Sequence, residues 1–170
     1  MQQHQNRLSG RYRLFSLALL ALCTAPAKAE PVPEVARFGA GIEHTAEILA
    51  PLCTSQSVRA IDPPQIPGVS EQVQLDCEGF DYFGAKRKAE FIFGDDALTI
   101  VWILIEASEI EKLVDDFNQA YGEPSHDTAN VTAYAEHNAA VRKDVPEALY
   151  YAPEVARAYQ DWFDQQAGAE

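Results

Sequence analysis

The chain has 170 residues, of which 47% are hydrophobic, and it carries 13 Lys and Arg against 26 Asp and Glu, a formal net charge of −13. This length fits one domain, and the hydrophobic share predicts a folded core rather than a disordered acidic chain. The excess of acidic residues argues against binding to nucleic acid or to an anionic membrane surface, because both require basic side chains.

The first 29 residues contain the three parts of an export signal. Three arginines precede an apolar run of about a dozen residues that ends at Cys23, and Ala27-Lys28-Ala29 supplies small residues for cleavage. The run is shorter than the roughly 20 residues of a membrane span. We therefore expect a periplasmic or secreted domain over residues 30–170, without a membrane span. Lipid anchoring at Cys23 is disfavoured because the large Leu22 precedes it.

Export would change the charge and the cysteine count. Cleavage removes four basic residues and no acidic one, so the net charge becomes −17. It also removes Cys23 and leaves Cys53 and Cys77 in an oxidising compartment, which predicts one disulfide. Their separation of 24 residues matches neither a short redox motif nor a short metal motif.

The first part of the exported chain is predicted to hold one helix and a long loop. Residues 30–40 are rich in proline at their start, and we expect them to be mobile. Ile42, Ala46 and Leu49 lie at helical spacing and predict a helix over residues 41–52. Residues 54–70 are polar and contain three prolines, which is typical of a loop.

Alternating apolar residues predict three strands, over residues 72–78, 88–93 and 98–105, joined by tight turns at 81–85 and 94–96. Short turns favour an antiparallel sheet. The third strand, from Leu98 to Ile105, is apolar on both faces. It is therefore either the central strand of a covered sheet or the interface of a homodimer.

A helix is predicted after the third strand. Ser108 and Glu111 have the spacing of a capping box, and Gly122 and Pro124 are typical of a helix end. Between them one apolar stripe predicts packing on the sheet; its members are Ile110, Leu113, Val114, Phe117 and Tyr121.

The apolar patterns in the last third of the chain are short. Residues 131–137 fit a strand or a helix, and residues 139–142 and 148–151 fit short edge strands. Pro153 opens a final helix, whose apolar positions are Val155, Tyr159, Trp162 and Phe163. Together the elements predict a single α+β domain with one disulfide, a mainly antiparallel sheet of three to five strands, and two or three helices.

Two groups of residues around the first tight turn are candidates for partner binding. Phe80, Tyr82 and Phe83 would act as anchors if exposed, and would close one end of the core if buried. The basic cluster Lys86-Arg87-Lys88 would dock an acidic partner, or would be a charged strand end that discourages edge pairing.

Catalytic and metal-binding patterns are weak. His44 and Glu47 share a helix face, and His126 and His137 would meet only if the segment between them turns back. A solvated helix face explains the first pair as well. Ser125, His126 and Asp127 are consecutive, so they cannot form a catalytic triad. With 26 acidic residues, no glycosidase-type carboxylate pair can be singled out.

These patterns predict no cofactor and no catalytic site. We expect a non-enzymatic exported module that binds a protein or a component of the cell envelope. One alternative is a small-ligand carrier with a cavity beneath the strand that contains Trp102. Another is a small metal-dependent hydrolase that uses His44, His126 or His137.

Overall fold

The computed structural model describes residue 33 and residues 35–169, so the expected export signal lies outside the described residues. The three helices are α1 (Ile42–Leu49), α2 (Ile110–Tyr121) and α3 (Ala156–Ala167). The eight strands are β1 (Ser55–Ile61), β2 (Gln72–Tyr82), β3 (Ala85–Gly94), β4 (Ala97–Leu104), β5 (His126–Asp127), β6 (Val131–Tyr134), β7 (Ala139–Arg142) and β8 (Glu147–Tyr151). Among the described residues, no helix is long and apolar enough to cross a membrane.

All eight strands form one antiparallel sheet in the order β1-β2-β3-β4-β8-β7-β6-β5. Two four-stranded meanders join where β4 pairs with β8, and α2 connects them. The α+β class, the antiparallel sheet and the three helices are therefore confirmed. The prediction of three to five strands is wrong, because it omits β1 and the two-residue β5 and leaves β6 undecided.

Strand β1 was predicted as part of a loop. It lies at the edge of the sheet, and five of its seven residues are exposed. An edge strand with two wet faces shows little apolar alternation, which is the signal that identifies the inner strands.

Strand β4 is the central strand of a covered sheet, the first of the two alternatives for Leu98 to Ile105. It pairs with β3 on one side and with β8 on the other. Both edges of β4 are therefore occupied within the sheet, and the homodimer interface expected at this strand stays a prediction. Strand β8 is also internal and fully buried, whereas an edge strand was expected at its position.

The turn before α2 begins earlier than predicted. The capping box uses Glu106 and Glu109 on a short 3-10 turn, not Ser108 and Glu111. The Glu106 backbone N–H donates to Glu109 Oε2 at 3.0 Å, and the Arg87 guanidinium donates to Glu109 Oε1 at 2.7 Å. Glu109 is thus fixed by two partners at once, which places the cap at that position. Gly122, with φ 86°, ends α2 as expected.

The sheet carries a hydrophobic core on each face. On the first face, α1 and α2 pack against the sheet through residues that include Leu49, Leu113 and Phe117. On the second face, α3 and the loop between β1 and β2 pack through Phe163 and Ile66.

Two further findings concern the start of the domain. Residues 35–40, which were expected to be mobile, add Ala36 and Phe38 to the first core, and Gly39 N–H donates to the Leu98 carbonyl at 2.9 Å. The predicted disulfide is confirmed: Cys53 follows α1, Cys77 lies in β2, and their Cα atoms are 5.3 Å apart. It ties the start of β1 to its neighbour.

Candidate functional site

A cleft of about 600 Å³ opens on the second face of the sheet. Its floor is formed by β2, β3, β4, β7 and β8. Its two walls are α3 and the end of β1 (Arg59 and Ile61) with the loop between β1 and β2. Its lining residues include Arg59, Gln72, Glu90, Trp102, Arg142, Glu147, Ala158, Tyr159 and Trp162.

The cleft exists because α3 and the β1–β2 loop cover two separate parts of the second face and leave the part between them open. Helix α3 contacts β5 and β6, and the β1–β2 loop packs through Ile66 and Val69 near Ile92. Buried Gln72 holds this loop, since its Oε1 accepts the backbone N–H groups of Gln65 and Ile66 at 2.7 and 3.0 Å. The floor between the two walls stays open.

Aromatic side chains form the α3 side of the cleft. Tyr159 stacks on Tyr151 at 4.5 Å between ring centroids, and it meets the rings of Trp102 and Trp162 edge-on at 6.3 and 6.2 Å. Burial raises the pKa of Tyr151 to about 12 and that of Tyr159 further, so both remain neutral donors. Trp102 and Trp162 are the two tryptophans of the chain, so intrinsic fluorescence reports on this cleft.

Three of the four charged residues that line the cleft lie in ion pairs, and the fourth is the exposed Arg59 of β1. Glu90 accepts from the Lys88 ammonium at 2.7 Å, and Glu147 accepts from the Arg142 guanidinium at 3.0 Å. Arg142 also binds Asp144 at 2.8 Å, and its guanidinium carbon lies 5.8 Å from the Trp102 ring centroid. The basic partners offset the charges of Glu90 and Glu147, and Arg59 adds one positive charge to the lining.

Glu147 is a buried carboxyl in the lining of the cleft. Burial raises the pKa of Glu147 to about 7, while the nearby Arg142 opposes this shift and the charges of Glu90 and Asp144 add to it. A carboxyl group with such a pKa is protonated in slightly acidic solution and ionised in slightly basic solution.

This gives the first prediction, a pH-dependent stability that resides in Glu147. The folded-state pKa lies above the unfolded one, so the folded protein binds more protons, and stability falls as pH rises from about 4.5 to 7. Between pH 5 and 8 we expect Glu147 to remove about 2 kcal/mol from the free energy of unfolding. Glu147→Gln should abolish this component, as measured by urea unfolding at both pH values.

The matched control is Glu136→Gln, at an exposed position on the turn after β6. That variant should retain the wild-type difference between pH 5 and 8. Equal pH dependence in Glu147→Gln and wild type would contradict the assignment.

The structure buries the three aromatic residues that were candidate anchors. Phe80, Tyr82 and Phe83 all belong to the first core, and the Tyr82 hydroxyl lies 2.9 Å from that of Tyr150. Burial also raises the pKa of Tyr82. These rings therefore close one end of the core, the second of the two alternatives, and offer no exposed binding surface.

The basic cluster is divided among separate partners. Lys86 is exposed and pairs with Asp81 at 2.7 Å, whereas buried Arg87 pairs with Glu109 at the same distance. Lys88 faces Glu90 at the cleft. The three side chains therefore do not form one patch for an acidic partner.

The histidines are not brought together. His126 Nε2 lies 3.0 Å from Asp164 of α3, while the His137 ring stacks on Tyr121 of α2, on the other face of the sheet. His44 and Glu47 are exposed on α1. Within residues 35–169, no group of three or more His, Cys, Asp or Glu side chains is placed to hold a metal ion.

Sequence reasoning did not find Glu90, Arg142 and Glu147. A local signal was present in part, since Glu90 interrupts an apolar strand and Glu147 begins one. Their convergence depends on the pairing of β4 with β8, which joins segments more than 40 residues apart.

The fold and the cleft define an α+β protein built on one eight-stranded antiparallel sheet. A family model described as "Uncharacterised protein" matches residues 35–152, more than half of the chain, and the chain belongs to that family. No curated protein and no solved structure matches the chain. The matched range includes the whole sheet and the cleft floor and ends just before α3.

Proposed function

We propose that this protein is an exported, non-enzymatic binding protein that holds a small ligand in the cleft. The observation that carries the proposal is the open cleft of about 600 Å³, with aromatic residues along one wall and polar groups on the strands of its floor. Sites for small molecules in proteins are mostly apolar concavities of about 300–1,000 Å³ with a few placed polar groups. Export is the expectation from residues 1–29.

The paired charges indicate the kind of ligand. Lys88 and Arg142 already offset Glu90 and Glu147, and Arg59 is the one further charge of the lining. A multiply charged ligand would therefore gain little and would lose its own hydration. A neutral molecule can contact the rings of Trp102 and Trp162 and exchange hydrogen bonds with the floor. We therefore favour a neutral ligand with an apolar body.

The other two functions expected from the sequence receive less support. A protein-binding module was to use Phe80, Tyr82 and Phe83, which are buried. A metal-dependent hydrolase was to use His44, His126 or His137. His44 is exposed on α1, and the other two contact helices on opposite faces of the sheet. The carrier alternative placed its cavity at the strand that contains Trp102, and Trp102 lines the cleft.

The second prediction tests the cleft with Nile red, a neutral dye that fluoresces in apolar sites. We expect saturable binding of one dye per chain, with quenching of the fluorescence of Trp102 and Trp162. Ala158 is exposed on α3 and lines the cleft. The added ring in Ala158→Phe should occupy part of the cleft and remove apolar contacts of the dye, which should weaken binding by about tenfold.

The matched control is Ala120→Phe, which adds the same ring at an exposed position on α2, on the other face of the sheet. It should bind Nile red as the wild type does. Dye binding that is equal in both variants, or that leaves tryptophan fluorescence unchanged, would place the binding site elsewhere. If the dye binds in the cleft, its displacement by neutral amphiphiles or by short saccharides would identify the class of ligand.

A further inference from the structure

The two edges of the sheet differ in how well they are protected against pairing with another strand. Strand β5 is only two residues long, and its His126 is held by Asp164 of α3. Strand β1, at the other edge, has seven residues and pairs with β2 alone among the described strands. A long edge strand exposes a row of backbone N–H and C=O groups that can pair with another strand.

Strand β1 has few of the features that normally prevent such pairing. Its register with β2 is continuous, without a bulge, and its sequence, Ser-Gln-Ser-Val-Arg-Ala-Ile, contains no proline, lysine or acidic residue. Val58, at its centre, is 59% exposed. Arg59 is the single charged residue of the strand.

The edge is also held in a fixed geometry. The Cys53–Cys77 disulfide lies just before β1, and the Thr54 N–H donates to the Glu78 carbonyl at 2.7 Å. The Gln56 side-chain amide donates to the Ala46 carbonyl of α1 at 3.0 Å. Because these contacts order the strand in advance, a partner strand would lose less entropy on pairing with it.

We propose that β1 is the dimerisation edge of this protein, and that a second copy of the chain adds its own β1 in antiparallel register centred on Val58. This pairing places Val58 opposite its symmetry mate and Arg59 opposite Ser57 of the second copy. No like charges face each other, so the strand is self-complementary about a two-fold axis. The two sheets become continuous, and both clefts open on the same side.

Charge supports this edge as the point of contact. The chain carries a formal net charge of −13, so two copies repel each other at long range. Strand β1 is free of acidic residues, which makes it a favourable place for two such molecules to meet. Since salt screens the repulsion, the dimer should strengthen as ionic strength rises, the opposite of an interface held by ion pairs.

The third prediction is the oligomeric state, measured by sedimentation velocity of the purified protein over a range of concentrations. We expect a monomer–dimer equilibrium that shifts towards dimer between about 20 mM and about 300 mM NaCl. Val58→Lys puts two ammonium groups opposite each other and should raise the dimer dissociation constant by about tenfold or more. Leu52→Lys adds the same charge at another exposed apolar position, outside β1, and should change it little.

Cross-linking tests the register directly. Val58→Cys should give a covalent dimer with a short bismaleimide reagent, and Leu52→Cys should not. A monomer at all concentrations and salt levels would overturn the proposal, as would a dimer that Val58→Lys leaves intact, a dimer weakened by salt, or aggregates without a defined dimer. If β1 pairs with a strand of another protein instead, the purified chain should stay monomeric, and the proposal is overturned.

Discussion

Replacement of Phe163 by alanine should lower the free energy of unfolding by about 4 kcal/mol, because it empties the centre of the second core. Phe163 has no exposed surface. Its ring lies 5.3 Å from that of Trp162, 5.7 Å from that of His126 and 6.3 Å from that of Tyr151. It therefore joins α3 to β5 and β8, and α3 should detach or shift when the ring is removed.

The loss of α3 contacts should be visible in the cleft. Trp162 belongs to α3 and Trp102 faces it, so the tryptophan emission of folded Phe163→Ala should shift to longer wavelength as both rings meet water. Phe117→Ala is the matched control, since Phe117 is equally buried but packs α2 on the opposite face. It should be destabilised to a similar extent in urea and keep the native emission spectrum.

Two results would contradict the role of Phe163 in holding α3 against the sheet. One is a Phe163→Ala protein that unfolds at the wild-type urea concentration, which would mean that α3 contributes little to stability. The other is a destabilised variant with unchanged tryptophan emission and unchanged Nile red binding, which would mean that the cleft does not depend on α3.

The unequal covering of the two sheet faces explains why a cleft forms here at all. On the first face, α1, α2 and residues 35–40 cover the strands of both meanders, and rings such as Phe91 and Tyr150 fill the space. On the second face, α3 covers one side and a loop the other. The uncovered middle is where charged residues such as Glu90 and Glu147 can lie within a sheet and still find partners.

Elements with a strong apolar period could be predicted from the sequence. The stripe through Leu113 and Phe117 predicts α2, and alternation at Leu75 and Phe91 predicts β2 and β3, because one face of each element is buried in the first core. The disulfide was predictable for another reason, since the expected export would leave two cysteines in an oxidising compartment.

The sheet order could not be predicted, because it depends on a long-range pairing. Strand β8 pairs with β4 across the α2 connection, as in the register of Trp102 with Leu149. Nothing local distinguishes this from an edge position for β8. Strand β1 was missed for the opposite reason: its residues, Val58 included, are exposed on both faces, so burial imposes no pattern on them.

The cleft was only partly predictable. A cavity beneath the strand that contains Trp102 is one of the alternatives that the sequence allows. Glu147 and Arg142 reach the same place only through the register of β7, β8 and β4. The hydrophobic periodicity of single strands cannot predict a charged pair that forms between two strands. The same long-range pairing therefore decides both the strand order and the site.

Loss of the disulfide is the other large effect that we expect. In the chain-entropy description, a bond between residues 24 apart stabilises the folded state by about 3 kcal/mol, because it lowers the conformational entropy of the unfolded chain. Cys53→Ser with Cys77→Ser should lower the free energy of unfolding by this amount. Reduction of the wild type is the matched control for the added hydroxyl groups, and urea unfolding of both should agree.

The position of the bond gives this loss a local character. Cys53 lies between α1 and β1, and Cys77 pairs in register with Gln56, so the bond closes the end of the edge strand on β2. Hydrogen exchange should therefore rise first in residues 54–61 when the bond is absent, while β4 stays protected. If β1 is the dimerisation edge, the same variant should dimerise more weakly than its global stability alone would require, because an edge strand that frays cannot present an ordered row of backbone groups.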